Sequence, residues 1–112
     1  MANIIPFAFR GELFSGTHNF ANGGNSFKIA LYTSNPYSTS STAYLTTNEV
    51  SASNTGYTTG GKVLASQAVA SGTAVASVDF ADSALPSATF TAAFAAIYND
   101  TNADKLCVVL DF

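Results

Sequence analysis

Residues Asn25–Pro36 read NSFKIALYTSNP. Within them Phe27, Ile29 and Leu31 alternate with Lys28, Ala30 and Tyr32 until Asn35-Pro36 closes the run. Successive side chains of a strand point to opposite faces, so a period of two predicts a half-buried strand over Ser26–Ser34. The segment Lys105–Phe112, KLCVVLDF, repeats the pattern: Leu106, Val108, Leu110 and Phe112 share one parity, which predicts a C-terminal strand tied into a sheet. Between these two lie further alternating runs. Lys62–Ala70 sets Val63 and Ala65 against Leu64 and Ser66, and Ala74–Phe80 sets Ala76, Val78 and Phe80 against Val75, Ser77 and Asp79. Ala88–Tyr98 sets Phe90, Ala92, Phe94, Ala96 and Tyr98 against Thr89, Thr91, Ala93, Ala95 and Ile97. Ser71-Gly72 reads as a turn, Pro86 interrupts 82–87, and 99–104 is a polar loop. No helical pattern separates the later strands, which favours antiparallel neighbours. The expected fold is all-β: a small antiparallel β-sandwich or jelly-roll-like domain.

Two segments fall outside the alternation. Residues 1–24 read as an N-terminal arm and a helical turn, with Phe7, Phe9, Leu13 and Phe14 striping a short helix over Arg10–Thr17. Gly11, Gly16 and Asn22-Gly23-Gly24 limit its length. Residues 35–61 form a long polar loop carrying Tyr37, Tyr44, Leu45, Val50 and Tyr57, and its apolar residues predict that it is ordered and pinned to a surface. A chain of 112 residues is expected to form one domain spanning 1–112.

Composition narrows the function classes. Charged residues make up 10% of the chain, against about a quarter in ordinary globular proteins, while Ser, Thr, Asn and Ala fill the gap. Low charge with many small residues suits a subunit that lives against neighbours. The formal net charge is −3, and Arg10, Lys28, Lys62 and Lys105 are scattered singly, so nucleic acid is not an expected partner. No stretch approaches the ~20 apolar residues of a membrane span, and the IIPFAF run lacks a preceding basic region, so neither a membrane partner nor a secretory leader is expected. The one cysteine allows no internal disulfide and fits synthesis in a reducing cytosol.

The search for chemistry is thin. His18, the single imidazole, reads as a residue fixing the N-terminal turn rather than as a base or metal ligand. Cys107 lies within an apolar strand and reads as a buried small hydrophobe, facing away from Leu106 and Val108. Asp100, Asn102 and Asp104 have the spacing of the first three oxygen ligands of a Ca²⁺ loop, with Asp111 at the twelfth position. Lys105 stands where that loop needs glycine, and Asx-turn chemistry explains the same residues. Gly23-Gly24 and Gly60-Gly61 lack the strand, helix and Lys context of a phosphate loop. Catalytic, cofactor-binding and metal residues are therefore all expected to be none.

Taken in order, Phe14–Phe20 (FSGTHNF), Ser26–Pro36 (SFKIALYTSNP), Thr46–Gly61 (TTNEVSASNTGYTTGG), Val78–Asp82 (VDFAD), Phe90–Asp100 (FTAAFAAIYND) and Val109–Phe112 (VLDF) resemble a family of small virion proteins encoded by tailed bacteriophages. The resemblance spans most of the chain and rests on the joint order of these segments. The chain departs from it at Phe112, where the family pattern continues for a Gly or a few more residues. The resemblance implies a non-enzymatic structural component of the phage particle and supplies no catalytic residues. The expected role is a capsid decoration (cement) protein: made in the host cytoplasm, located on the capsid surface, bound to the major capsid protein and homo-oligomeric. A neck or tail component is one alternative. A carbohydrate- or receptor-binding module using loop tyrosines as stacking platforms is another. Expected contact residues are Ile4, Ile5 and Phe7 in the arm Ala2–Phe9, and Tyr37, Tyr44 and Tyr57 in the 35–61 loop; for the tyrosines, pinning the loop to its own domain is the competing reading.

Overall fold

Strand β1 (Phe27–Tyr32) forms where the alternation is cleanest, and it occupies an inner position of a four-stranded sheet. The computed structural model describes residues 3–21, 23–52, 57–72, 76–80 and 92–111, without side-chain detail for Ala76, Ser77 and Asp79. Among the described residues the remaining strands are β2 (Lys62–Leu64), β3 (Ala68–Ser71), β4 (Ala76–Asp79), β5 (Phe94–Asn99) and β6 (Lys105–Asp111), with one helix, α1 (Phe7–Phe14). The main sheet has the order β2-β1-β5-β6, all antiparallel; β3 and β4 form a separate two-stranded ribbon. The expectation of a mostly-β chain with antiparallel neighbours therefore holds. The expected start of the Ala88–Tyr98 strand, the 82–87 connection, Ala2 and Phe112 lie outside the described residues.

Both faces of the main sheet carry apolar side chains, and different segments cover them. Ala30, Tyr32, Ala96, Tyr98, Leu106 and Val109 share one face with Tyr37, and Ile4, Tyr44 and Phe94 pack against them. Phe27, Leu64 and Cys107 share the other with Ile29 and Ile97, under Phe9, Phe20 and Phe80. Phe20 stacks on Phe27 at 4.3 Å between ring centroids. The long loop thus roofs one side of the sheet, and the N-terminal segment roofs the other.

Three expectations need correction. The Lys62–Ala70 run is two strands, because Ser66 adopts φ 55° and turns the chain; Gln67 then tucks under, and its amide Nε2 donates to the carbonyls of Ala21 (3.1 Å) and Asn25 (2.7 Å). The C-terminal strand does not keep one parity. Its register slips between Ile97 and Tyr98, so Val108 faces Ile97 while Leu106 faces Tyr98. A bulge of this kind places two residues opposite one. It sends Leu106 and Val109 to one core, and Cys107 joins Val108 on the other side rather than facing away from it. The helix also begins earlier than the Arg10–Thr17 stripe suggested. Pro6, already at φ −61°, is its N-cap. Its end is a Schellman motif, with Thr17 N–H donating to Glu12 O (2.9 Å) and Gly16 N–H to Leu13 O (3.3 Å), closed by Gly16 at φ 74°.

The outer edge of β6 would offer unpaired backbone groups to any passing strand. Here Ile4 and Val109 exchange both backbone hydrogen bonds at 2.9 Å, Leu106 N–H reaches Thr42 O, and Asn3 Oδ1 accepts from Asp111 N–H at 2.8 Å. The arm and the loop together close that edge.

Candidate functional site

The loop tyrosines turn inward, and this corrects their expected place in an external contact. Tyr37 and Tyr57 are 6% and 3% exposed, and Tyr44 is half-buried with its ring stacked 4.6 Å from that of Tyr98. Leu45 N–H donates to Tyr37 Oη (2.9 Å), and Tyr32 Oη donates to Leu45 O (2.7 Å). Tyr32 has thereby used its hydrogen, so Tyr37 supplies the one between the two hydroxyls, 2.5 Å apart, and the ring of bonds closes. Glu49 is the second anchor. Its Oε1 accepts from Tyr44 Oη at 2.5 Å, and its Oε2 accepts from Tyr57 Oη and from Gly60 N–H at 2.8 Å. Tyr98 Oη donates to Gly60 O. All five tyrosines of the chain are held in this assembly, which fastens the loop to the sheet.

Burial, above all, raises the pKa of Tyr32, Tyr37, Tyr44, Tyr57 and Tyr98 from the ordinary value of 10.0. Below pH 10 folded and unfolded chains hold the same phenol protons. Above it the unfolded chain sheds protons that the folded chain keeps, so stability is lost as the pH climbs. The Cys107 thiol adds to this with the same sign from pH 9.0 upward, being pushed up to about 12 by burial first and then by Glu12. Tyrosinate absorbance is therefore expected to grow in step with loss of far-ultraviolet dichroism. Phenols ionising near pH 10 with the dichroism intact would contradict the burial of the hydroxyls.

A second polar cluster joins the N-terminal segment to the β5–β6 hairpin. Asn99 Oδ1 accepts from the N–H groups of Thr101 (3.1 Å) and Asn102 (3.2 Å), which fixes its amide orientation. Its Nδ2 then donates to His18 Nδ1 (2.9 Å), so the His18 hydrogen sits on Nε2 and is given to Glu12 Oε1 (2.8 Å). Lys105 Nζ lies 3.2 Å from the other Glu12 oxygen. Cys107 Sγ is 3.8 Å from His18 Nδ1. A sulfur, an imidazole and a carboxylate in line have the outline of a nucleophile with its base. Nucleophilic attack requires the thiolate, and this thiol is buried with its pKa raised, so the arrangement favours the inert neutral form. His18 fixes the N-terminal segment, as expected from the sequence.

The loop at 99–104 takes part in the same stitching. Asn102 Nδ2 donates to Thr17 O (2.5 Å) and lies 3.3 Å from Asn25 Oδ1. Burial, and then Asp100 beside it, raises the Asp104 carboxyl above its usual range, and Lys28 Nζ lies 3.8 Å from Asp100. Among the described residues, no group of three or more His, Cys, Asp and Glu side chains is placed to hold a metal ion.

What remains is an apolar surface centred on α1. Phe9 and Leu13, one turn apart, face inward and line a cavity of about 350 Å³ with Ile5, Phe20, Val78, Phe80, Ile97, Cys107 and Val108. Phe7 and Phe14, two turns apart, share the opposite face and are 60% and 95% exposed. The Arg10 guanidinium lies 5.3 Å from the Phe7 ring centre. A helix apolar on two opposed faces has two things to touch, and the described residues supply only one. Of the arm residues expected at a contact, Ile5 and Phe7 are exposed, whereas Ile4 is half-buried in its bridge to Val109. Phe14 was read only as a helix-stripe residue. The signal that could have separated it is Pro6: a helix starting just after it puts Phe7 and Phe14, seven residues apart, on one face.

Comparison with protein-family models, with curated proteins and with solved structures returns no match.

Proposed function

We propose that the chain is a non-enzymatic structural subunit of a tailed-bacteriophage particle, most specifically a capsid decoration (cement) protein that binds the major capsid protein lattice as a homo-oligomer. The observation that carries this reading is the exposed apolar surface of the arm and the outward face of α1, Ile5, Phe7 and Phe14, on a chain with few charges of its own. Exposed apolar patches on small proteins mark interaction sites, and a lattice of repeated sites turns modest contacts into high avidity. The ordered segments resembling small virion proteins supply the biological setting. The finer fold expectation belongs with this reading: the β3–β4 ribbon would be the start of a second layer packed over Phe27 and Ile97. A carbohydrate-binding module loses its basis, since the loop tyrosines that would stack on sugars are committed inside the fold. A neck or tail component remains the second reading, because the same apolar face would serve in a ring.

Quantitative mass spectrometry of purified particles is the test. A decoration protein is present at a copy number comparable with the major capsid protein, and a neck or tail protein at that of a single ring. Absence from purified particles would overturn the proposal. A double substitution, Ile5→Ser with Phe7→Ser, is expected to leave the melting midpoint almost unchanged, because exposed positions typically shift stability by about 0.5 kcal/mol or less. It should nevertheless reduce incorporation into particles, and wild-type incorporation would remove the arm from the interface.

A further inference from the structure

The described residues that line the cavity beneath α1 are all apolar, with the Cys107 thiol their one heteroatom-bearing group. Small-molecule sites combine apolar walls with a few placed polar groups that orient the ligand. Among the described lining residues there is no such group, which argues against a ligand bearing a polar head and for an apolar side chain as the occupant. Size agrees. A dry cavity of roughly 150 Å³ accommodates a benzene ring, and this one measures about 350 Å³. Its rim residues Ile5, Leu13 and Val78 are all exposed, so it can be entered from outside.

The chain carries a matching plug. Phe14 is 95% exposed on the last turn of α1, and Phe7 accompanies it on the same face. At 150–250 Å² per aromatic side chain, the two leave roughly 300 Å² of ring surface in water. That is a sizeable part of the ~800 Å² each partner contributes to a standard interface. Buried aromatic anchors seated in pockets carry most of the binding free energy in such contacts.

We propose that Phe14 of one copy seats in the apolar cavity of a second copy. The plug and the cavity lie on opposite faces of α1, so the contact is heterologous. Each copy presents Phe14 on one side and receives its neighbour on the other, which generates a ring if the rotation closes and a filament if it does not. The inference deepens the homo-oligomeric part of the proposed function and rests on it. Its test uses the purified chain alone, so particle incorporation succeeds or fails separately.

Sedimentation velocity over a wide concentration range reads the association. The wild type is expected to form a discrete oligomer or an open series. Phe14→Ala removes the plug from a solvent-exposed site, so the fold and melting midpoint are retained while self-association weakens on the order of 30-fold or more. Val78→Trp, at the exposed rim, blocks the cavity and keeps the plug. The two variants are each expected to be monomeric and, when mixed, to form a one-to-one complex through the intact plug of one and the intact cavity of the other. A monomeric wild type at every concentration, an oligomer that survives Phe14→Ala, or a mixture that stays monomeric would each overturn the proposal.

Discussion

Replacing Gly61 with Ala is expected to destabilise the fold severely. Gly61 has φ 86°, a backbone conformation that costs an L-residue roughly 1–2 kcal/mol. The larger effect is steric. A Cβ there would lie 1.9 Å from Ile29 O, 2.6 Å from the Ile29 carbonyl carbon and 2.9 Å from Ala30 Cα. Those atoms belong to the middle of β1, whose pairing with β5 runs from Phe27↔Asn99 to Tyr32↔Phe94, so they cannot yield without dismantling the sheet. A loss of about 4 kcal/mol or more follows, against the ~5–15 kcal/mol that holds a domain of this kind together. Gly11→Ala is the control. It lies inside α1 with nothing within 4 Å of the added carbon, and it should gain about 0.5–1 kcal/mol from helix propensity. Dichroism and urea denaturation of the two variants decide the matter. A Gly61→Ala protein that melts with the wild type would show that β2 does not approach β1 as described.

Glu49→Gln is expected to have the second largest effect, although it changes shape very little. The Glu49 carboxylate accepts from Tyr44, Tyr57 and Gly60, using both oxygens. An amide has one acceptor oxygen and one NH₂ group: turned toward Gly60 the NH₂ meets a backbone donor, and turned toward Tyr44 it makes that hydroxyl accept and strands the Tyr44 hydrogen. Hydrogen bonds to an ionised acceptor contribute about 1.5–3 kcal/mol each, and a stranded buried donor costs a further ~1–3 kcal/mol. A destabilisation of about 2–4 kcal/mol should appear as a lower urea midpoint. Tyr44→Phe in the Glu49→Gln background should then cost much less than it does alone, since the two share one bond. Additive losses would show that Glu49 and Tyr44 act independently.

These two residues also show what a single sequence can reveal. The alternation in Phe27–Tyr32 and Phe94–Asn99 was legible because period-two patterning depends on local geometry alone, and both segments are inner strands. The β6 bulge was not, since Leu106, Cys107, Val108 and Val109 are all apolar and satisfy either parity. The tyrosines were visible as aromatic residues in a polar loop. Their direction depends on Glu49 and on the underside of β1, which spacing does not encode. The His18–Asn99–Asn25 cluster joins residues more than half the chain apart and leaves no local mark. The apolar face of α1 was half legible. Its composition could be read, but the division into an inward Phe9–Leu13 side and an outward Phe7–Phe14 side required the helix to start at Phe7 rather than Arg10.

The strand order has a kinetic consequence. Within the main sheet only β5 and β6 are joined by a short turn, while β1 pairs with β5 more than half the chain away and with β2 across the whole tyrosine loop. Joining distant segments incurs loop-closure entropy before any contact compensates for it, and topologies dominated by such pairings reach their native state slowly. The C-terminal hairpin is therefore the natural nucleus. It emerges from the ribosome after β1 and β2, so those strands have no partner hairpin to assemble on until it appears.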